Sequence, residues 1–303
     1  MTPDAAAPAT GGLLDRVYRS VWRVVSVVCF EFLFRTRLWG LFWKYPYAML
    51  TYLHKRGDIV WKFMNYGFVS LTEDDKKRLK HMEPLIAKQP KHHHTNCRLY
   101  EKTLALCPKY PDELKGMDYL EIACGHCGGI EWMWDAHPEL SSAKGLDRAP
   151  GLTHPNIYQG DALELPFPDG SFDIVLSCEA SHSFTDPRKF YAEVMRVLRP
   201  GGYLLLSDFR PNNYLVPMTF DDAKSQGLQH ISTQDITEEV VKSLDIQGQN
   251  RVDLFKENWY TAIFLHTYWN MFNAVPGSSV YRDFSERYWV YLAICWQKPA
   301  AAQ

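Results

Sequence analysis

The stretch that most constrains this chain is Asp118–Gly129, DYLEIACGHCGG. Tyr119, Leu120 and Ile122 form a short apolar run with Glu121 inside it, and the run stops where Gly125, Gly128 and Gly129 remove side chains. That pattern predicts a buried strand turning tightly into a helix. Such a turn lets backbone N–H groups and a helix N-terminus approach a ligand. Glu121 adds a carboxylate at the mouth of the turn. A strand-to-helix turn that binds nothing can look the same, so the rest of the chain has to decide.

Length and charge narrow the classes. At 303 residues the chain can hold one large domain, or a domain with an appendage. Lys and Arg number 33 against 35 Asp and Glu, a net charge of −2, which lacks the basic footprint of a nucleic-acid binder. The seven cysteines are scattered, and Cys124 with Cys127 forms a C-x-x-C. No second C-x-x-C completes a zinc site and this one lies within the glycine turn, so no metal is expected and the thiols are expected reduced, as in the cytoplasm. Residues 1–12, MTPDAAAPATGG, read as a disordered leader and not as a secretory signal.

Residues 13–69 stand apart in composition. Tyr18, Trp22, Phe30, Trp39, Trp43, Tyr52 and Trp61 are among their aromatics, interleaved with Arg16, Arg19, Arg23, Arg35, Arg37, Lys44, Lys55, Arg56 and Lys62. The uncharged run Val24–Phe30 is too short to cross a bilayer, which needs about 20 residues. Aromatics buried on one side with Arg and Lys reaching phosphates on the other describe an interfacial helix. Peripheral membrane contact through residues 13–60 is the expectation, with a lid packed on the main domain as the plainer alternative.

Further along, Thr72 is an N-cap candidate for a charged helix over Leu71–Met82, and Asn96–Leu106 predicts another. The adjacent His92, His93 and His94 point in different directions and read as a solvated loop. After the glycine turn, Ile130–His137 predicts a helix and Ala143–Asp147 a second strand ending in a carboxylate. A short third strand, Asn156–Gly160, leads to Asp161 and Ala162. Phe172–Cys178 reads as a fourth strand buried on both faces, and Pro187–Leu198 as an amphipathic helix. Tyr203–Ser207 is a fifth strand ending at Asp208. Thr233–Leu244 opens like a helix, Val252–Phe272 is long and aromatic, and Ser285–Gln297 reads as a closing strand. Strands alternating with helices at these lengths imply a parallel sheet with right-handed crossovers.

Glu121–Gly129, Gly145–Asp147, Gly160–Phe167, Phe172–Ile174 and Leu198–Gly202 resemble, in order, the signature elements of class I S-adenosylmethionine-dependent methyltransferases. The resemblance covers about residues 115–210. More narrowly, the glycine turn, Glu179–His182 (EASH) and Asp208–Asn213 (DFRPNN) are similar to the phthiotriol/phenolphthiocerol dimycocerosate methyltransferases of mycobacteria, which act on long lipids. Sterol methyltransferases share the same core. The resemblance implies an α/β fold: a Rossmann-like, seven-stranded, mostly parallel sheet with helices on both faces, here carrying the N-terminal helical appendage. The methyltransferase domain would span 70–298, with substrate-side helices in about 211–284.

The resemblance also implies roles for particular residues. Glu121, Ala123, Cys124 and Gly125 would cradle the methionine end of S-adenosylmethionine. Asp147, with Arg148 beside it, would take the ribose hydroxyls, and Asp161 with Ala162 would meet the adenine. Ser177 would line the methyl-donor end, and Tyr66, in Asn65–Tyr66–Gly67, would close over the cofactor. Ala123 and Cys127 depart from the pattern, since glycine is usual at both.

Methyl transfer to a hydroxyl needs alignment and removal of one proton. His182 is the expected base, with Glu179 orienting it or acting in its place. Asp208 and Arg210 read as a structural pair. A hydrophobic, lipid-like acceptor methylated on oxygen at a membrane surface is the leading expectation. C-methylation of a sterol or triterpene, N-methylation of a small amine, and a membrane-bound interaction protein with a degenerate cofactor site are the alternatives. Nucleic-acid methylation is disfavoured, because CEASH follows the fourth strand where base methylases carry an NPPY-type segment.

Overall fold

The computed structural model describes residues 62–149, 154–212, 215–256 and 274–300, with positions 51, 52, 54 and 56. The leader 1–12, nearly all of 13–61 and the aromatic stretch 257–272 lie outside the described residues.

Seven strands form one sheet: Asp118–Ile122 (β1), Ser142–Asp147 (β2), Ile157–Gln159 (β3), Phe172–Cys178 (β4), Leu198–Pro211 (β5), Gln229–Asp235 (β6) and Trp289–Gln297 (β7). Their order is β3-β2-β1-β4-β5-β7-β6, parallel throughout except that β7 runs antiparallel to both β5 and β6. Side chains alternate across each strand, so the sheet carries two cores. Tyr119, Ile174, Leu176, Leu205, Tyr291 and Cys295 pack on one face. Leu120, Ile122, Val175, Leu204, Leu206 and Trp296 pack on the other.

The described α-helices are Glu73–Leu79 (α1), Glu83–Ile86 (α2), His94–Leu104 (α3), Gly128–Ala136 (α4), Pro187–Val197 (α5), Leu215–Ser225 (α6), Thr237–Lys256 (α7) and Ser279–Ser285 (α8), with short 3-10 turns at Lys80–Met82, Lys91–His93 and Ser181–Ser183. Tyr100 and Leu104 of α3, Trp132 of α4 and Val240 of α7 join the first core, while Phe190 and Val194 of α5 and Ala223 of α6 join the second. Both faces are therefore covered, which is why β1 and β4 carry apolar residues at successive positions, Tyr119–Leu120 and Ile174–Leu176. Caps set the helix starts. Thr72 Oγ1 accepts from Asp75 N–H at 3.1 Å before α1, and Asp186 Oδ1 accepts from Lys189 N–H at 3.0 Å before α5, with Pro187 as its first residue.

Four expectations shift. The fifth strand, expected at Tyr203–Ser207 with Asp208 at its end, runs from Leu198 to Pro211 and holds Asp208 within it. Thr233 and Asp235 lie in β6, not in a helix; α7 opens at Thr237, where Asp235 Oδ1 accepts the Thr237 N–H at 3.1 Å. The sequence QHISTQD is polar and largely exposed, so its strand state comes from pairing with β7 and not from its own pattern. The closing strand starts at Trp289, because Ser279–Ser285 is α8. The three histidines form the short turn Lys91–His93 and the first residue of α3. His93 sets its edge on Phe63 at 4.9 Å, and burial with the neighbouring charges of His92, Lys62 and His94 lowers its pKa to about 4.

Chain order reverses between β1 and β4: the strands after β1 run to one side as β2 and β3, then β4 and β5 return to the other. In open α/β sheets the crevice at the carboxyl ends of such strands is where ligands bind.

Candidate active site

At the end of β1 the chain turns sharply. Ala123, Gly125 and Cys127 all take positive φ, of 60°, 55° and 69°. Cys127 N–H donates to Cys124 C=O at 2.9 Å, and Cys127 then caps α4. The left-handed region costs an ordinary L-residue roughly 1–2 kcal/mol, so two of these positions are strained. The sequence departed from glycine at both. Gly129 has a different reason for lacking a side chain: a Cβ there would fall 2.1 Å from the Tyr100 ring. Tyr100 passes that glycine to donate its hydroxyl to Glu121 Oε1 at 2.7 Å.

Glu121 is buried, and its Oε2 has no hydrogen-bond partner among the described residues. Burial, opposed by the Tyr100 hydrogen bond and reinforced by the charge of Asp147, raises its pKa to about 8. A buried carboxyl with one unanswered oxygen fits a cationic ligand group such as an ammonium. Asp147 ends β2 with Oδ2 accepting from Gly125 N–H at 2.8 Å and Oδ1 from Ala149 N–H at 2.8 Å. Burial raises its pKa despite those backbone donors. Arg148 and Asp161 face each other at 3.8 Å on the exposed rim, and Asp161 Oδ1 accepts from Leu163 N–H at 2.9 Å. Ala162 is buried beside them, and Ser177 is buried in β4 with its Oγ unpartnered among the described residues.

On the other side of the crevice, Glu179 follows β4 at φ 49°. Its Oε1 accepts from Tyr66 N–H at 2.6 Å and from Tyr291 O–H at 2.7 Å. Ser243 donates to Tyr66 C=O at 2.8 Å, so the strap around Tyr66 is tied to β4, β7 and α7 at once. Met64 of that strap lies over Gly125.

His182 sits on the short turn Ser181–Ser183 and is buried. Its Nδ1 lies 2.8 Å from Asp208 Oδ1, and its ring stacks on Phe209 at 4.3 Å. Phe209 is flanked by Tyr66 at 5.7 Å, Trp289 at 5.2 Å and Phe284 at 5.8 Å. The expected structural pair is present, with Arg210 Nη1 3.0 Å from Asp208 Oδ2. A carboxylate held against His182 is Asp208, a partner that sequence reasoning did not assign to it. Strand register could have found it: Cys178 of β4 pairs with Ser207 of β5, which sets Asp208 beside the chain leaving β4.

Among the described residues no group of His, Cys, Asp and Glu could hold a metal ion. Parallel strands reversing at β1 and β4, a strained glycine turn there, and acids closing β1 and β2 together make a ligand-binding crevice of the nucleotide-binding α/β kind.

Comparison with known proteins agrees. The family described as "Methyltransferase domain" matches residues 120–206. The phthiotriol/phenolphthiotriol dimycocerosates methyltransferase of Mycobacterium tuberculosis is 34% identical over 271 residues, 84% of this chain and 92% of that protein. A fatty-acid O-methyltransferase of Mycolicibacterium smegmatis is 30% identical over 85% of this chain and 90% of its own length. The geranyl diphosphate C-methyltransferase of Streptomyces coelicolor, solved with S-adenosyl-L-homocysteine, shares the fold at a TM-score of 0.51 and 12% identity, over 77% of this chain and 91% of that one. The chain belongs to the S-adenosylmethionine-dependent methyltransferases. It is an enzyme, S-adenosylmethionine is its cofactor, and its relatives carry lipid-related names.

Proposed function

We propose that this enzyme methylates a hydroxyl group on a hydrophobic, lipid-like acceptor, working at a membrane surface from the cytoplasmic side. S-adenosylmethionine, when bound, supplies an electrophilic methyl group on a sulfonium. Glu121, Ala123, Cys124 and Gly125 hold its methionine end, with the unanswered Glu121 Oε2 facing the ammonium. Asp147 with Arg148 takes the ribose, Asp161 and Ala162 the adenine, and Ser177 with Tyr66 the donor end.

The observation that carries the acceptor chemistry is His182: an imidazole buried past the carboxyl end of β4 and stacked on Phe209, which Tyr66 and Trp289 flank in turn. A hydroxyl needs a base to lose its proton, whereas a carboxylate acceptor does not. Aromatic walls suit an apolar chain, and the relatives named for phthiotriol dimycocerosates and fatty acids support a lipid. Glu179 anchors the Tyr66 strap over the crevice. Membrane contact rests on sequence: residues 13–60 interleave aromatic and basic side chains, the composition of an interfacial segment, and their uncharged run Val24–Phe30 is too short to cross a bilayer.

A panel of a long-chain secondary alcohol, a fatty acid and a long-chain amine, each with labelled S-adenosylmethionine, tests the acceptor class. Label is expected on the alcohol oxygen, and His182→Ala is expected to lower kcat about 10²–10⁴-fold, the usual worth of a general base, while S-adenosylhomocysteine affinity holds. Label on the amine or on carbon, or full activity without His182, rejects this chemistry. Flotation of the full chain with anionic vesicles tests the membrane part, and failure to float removes it.

A further inference from the structure

The contacts of Asp208 converge on one short turn. Its Oδ1 lies 2.8 Å from His182 Nδ1, and its Oδ2 accepts from His182 N–H at 2.8 Å and from the Ser181 hydroxyl at 2.6 Å. Phe209 N–H donates to Oδ1 at 2.8 Å, and Arg210 approaches Oδ2 at 3.0 Å. Arg210 Nη2 donates in turn to Ser181 Oγ at 2.8 Å. A carboxylate has about four lone-pair sites, so this one is saturated and has no freedom to rotate. A carboxylate present only to neutralise Arg210 would need none of the three contacts to Ser181 and His182.

We propose that Asp208 is a positioning residue for methyl transfer: it fixes the ring plane of His182 and the tautomer that carries its proton on Nδ1, leaving the basic lone pair on Nε2. This rests on His182 being the base. An ionised carboxylate accepts hydrogen bonds and donates none, so the hydrogen between Asp208 and His182 belongs to the ring. Asp208, Arg210, Ser181 and His182 are all buried, and a buried carboxylate stays charged only with a paired charge and hydrogen bonds. Although burial opposes that charge, His182, Arg210 and Ser181 hold the Asp208 carboxyl well below the usual carboxylate range. Phe209 fixes the remaining freedom by stacking on the imidazole with 29° between planes. Proton and charge balance close: the acceptor hydroxyl gives its proton to Nε2, and the positive charge that the donor loses reappears on the imidazolium, opposite Asp208. The neighbouring Glu179, by contrast, is engaged with Tyr66 and Tyr291.

Long-range ¹H–¹⁵N NMR of the full chain labelled at histidine reads the tautomer directly. Proton on Nδ1 of His182 in the wild type is the expected result; proton on Nε2 overturns the proposal with no mutation needed. Asp208→Asn, assayed with the long-chain secondary alcohol, is expected to lower kcat about 10²–10⁴-fold, with acceptor KM and S-adenosylhomocysteine affinity within about threefold, and to move the ring proton toward Nε2. A merely structural role would not move the tautomer, and a variant with kcat within about threefold of wild type overturns the proposal. If that variant does not fold, the wild-type tautomer decides. If His182→Ala keeps its turnover, the base reading fails by itself, and the tautomer still reports separately on what Asp208 holds.

Discussion

The two sides of the crevice each bury a carboxylate, and the two are shifted in opposite directions. Glu121, on the side proposed to hold the donor, has a neutral partner in Tyr100 and an oxygen with no partner among the described residues, and its carboxyl is raised to about 8. Asp208, on the acceptor side, is surrounded by donors and a guanidinium, and its carboxyl is held well down. Burial opposes charge at both positions; the difference is whether the protein itself supplies the compensation. In the proposed reading a ligand ammonium supplies it to Glu121, whereas Arg210, Ser181 and His182 supply it to Asp208.

The most severe way to break this contrast is to remove the internal compensation. Arg210→Met leaves Asp208 buried beside a neutral chain, and breaking a buried pair in this way costs about 3–5 kcal/mol. Denaturant midpoints at neutral pH should show that loss, while Glu121→Gln, which removes no compensated charge, should unfold at or above the wild-type midpoint. Equal losses in both variants would show that the two carboxylates do not differ as described.

A smaller effect separates the two sides by pH. Glu121 binds its proton up to about 8 in the folded chain, against 4.5 for an unperturbed glutamate. Between those values the folded protein retains a proton that the unfolded chain has lost, so this group lowers stability as pH rises, with no further change above about 8. A ligand ammonium requires the ionised form. Affinity for S-adenosylmethionine should therefore rise with pH, by at most about tenfold per unit, and level off above about 8. Calorimetry in two buffers of different ionisation enthalpy should detect proton release on binding, and Glu121→Gln should abolish it. A flat affinity profile in the wild type would place the ammonium elsewhere. Asp208, whose carboxyl is lowered, acts with the opposite sign: its stabilisation is present above the ordinary carboxylate range and is lost only in strong acid.

The donor side was also the more legible of the two in sequence. Its parts are local: an apolar run, glycines within a few residues, and acids at the ends of β1 and β2, all placed by the short-range pattern. The acceptor side depends on register. His182 and Asp208 are 26 residues apart and meet only because β4 and β5 pair in parallel, so chain order suggested the nearer Glu179 instead. The same limit hid β6, whose polar residues are a strand only because β7 lies alongside. Helix α5, with its Asp-Pro start and single apolar face, needed no such context and was read to within a residue.

The smallest effect tests Cys127, one of the two positions, with Ala123, that both sequence and structure single out. Cys127 holds φ 69° as the cap of α4, where glycine would sit without strain. Its sulfur approaches Gly125 C=O at 4.0 Å and hydrogen-bonds the Cys124 thiol, and the side chain packs against the first core, so a change to glycine relieves the backbone while giving up these contacts. Left-handed backbone costs an L-residue roughly 1–2 kcal/mol, and the greater freedom of an unfolded glycine returns about 0.5–1 of that. Cys127→Gly should thus raise stability by up to about 1 kcal/mol, visible as a higher denaturant midpoint with an unchanged slope. Because that turn is the one proposed to hold the donor, affinity for S-adenosylhomocysteine should hold or improve. A destabilised variant with weaker affinity would show instead that the thiol supports the turn, and would move Cys127 from a tolerated departure to a working part of the donor side.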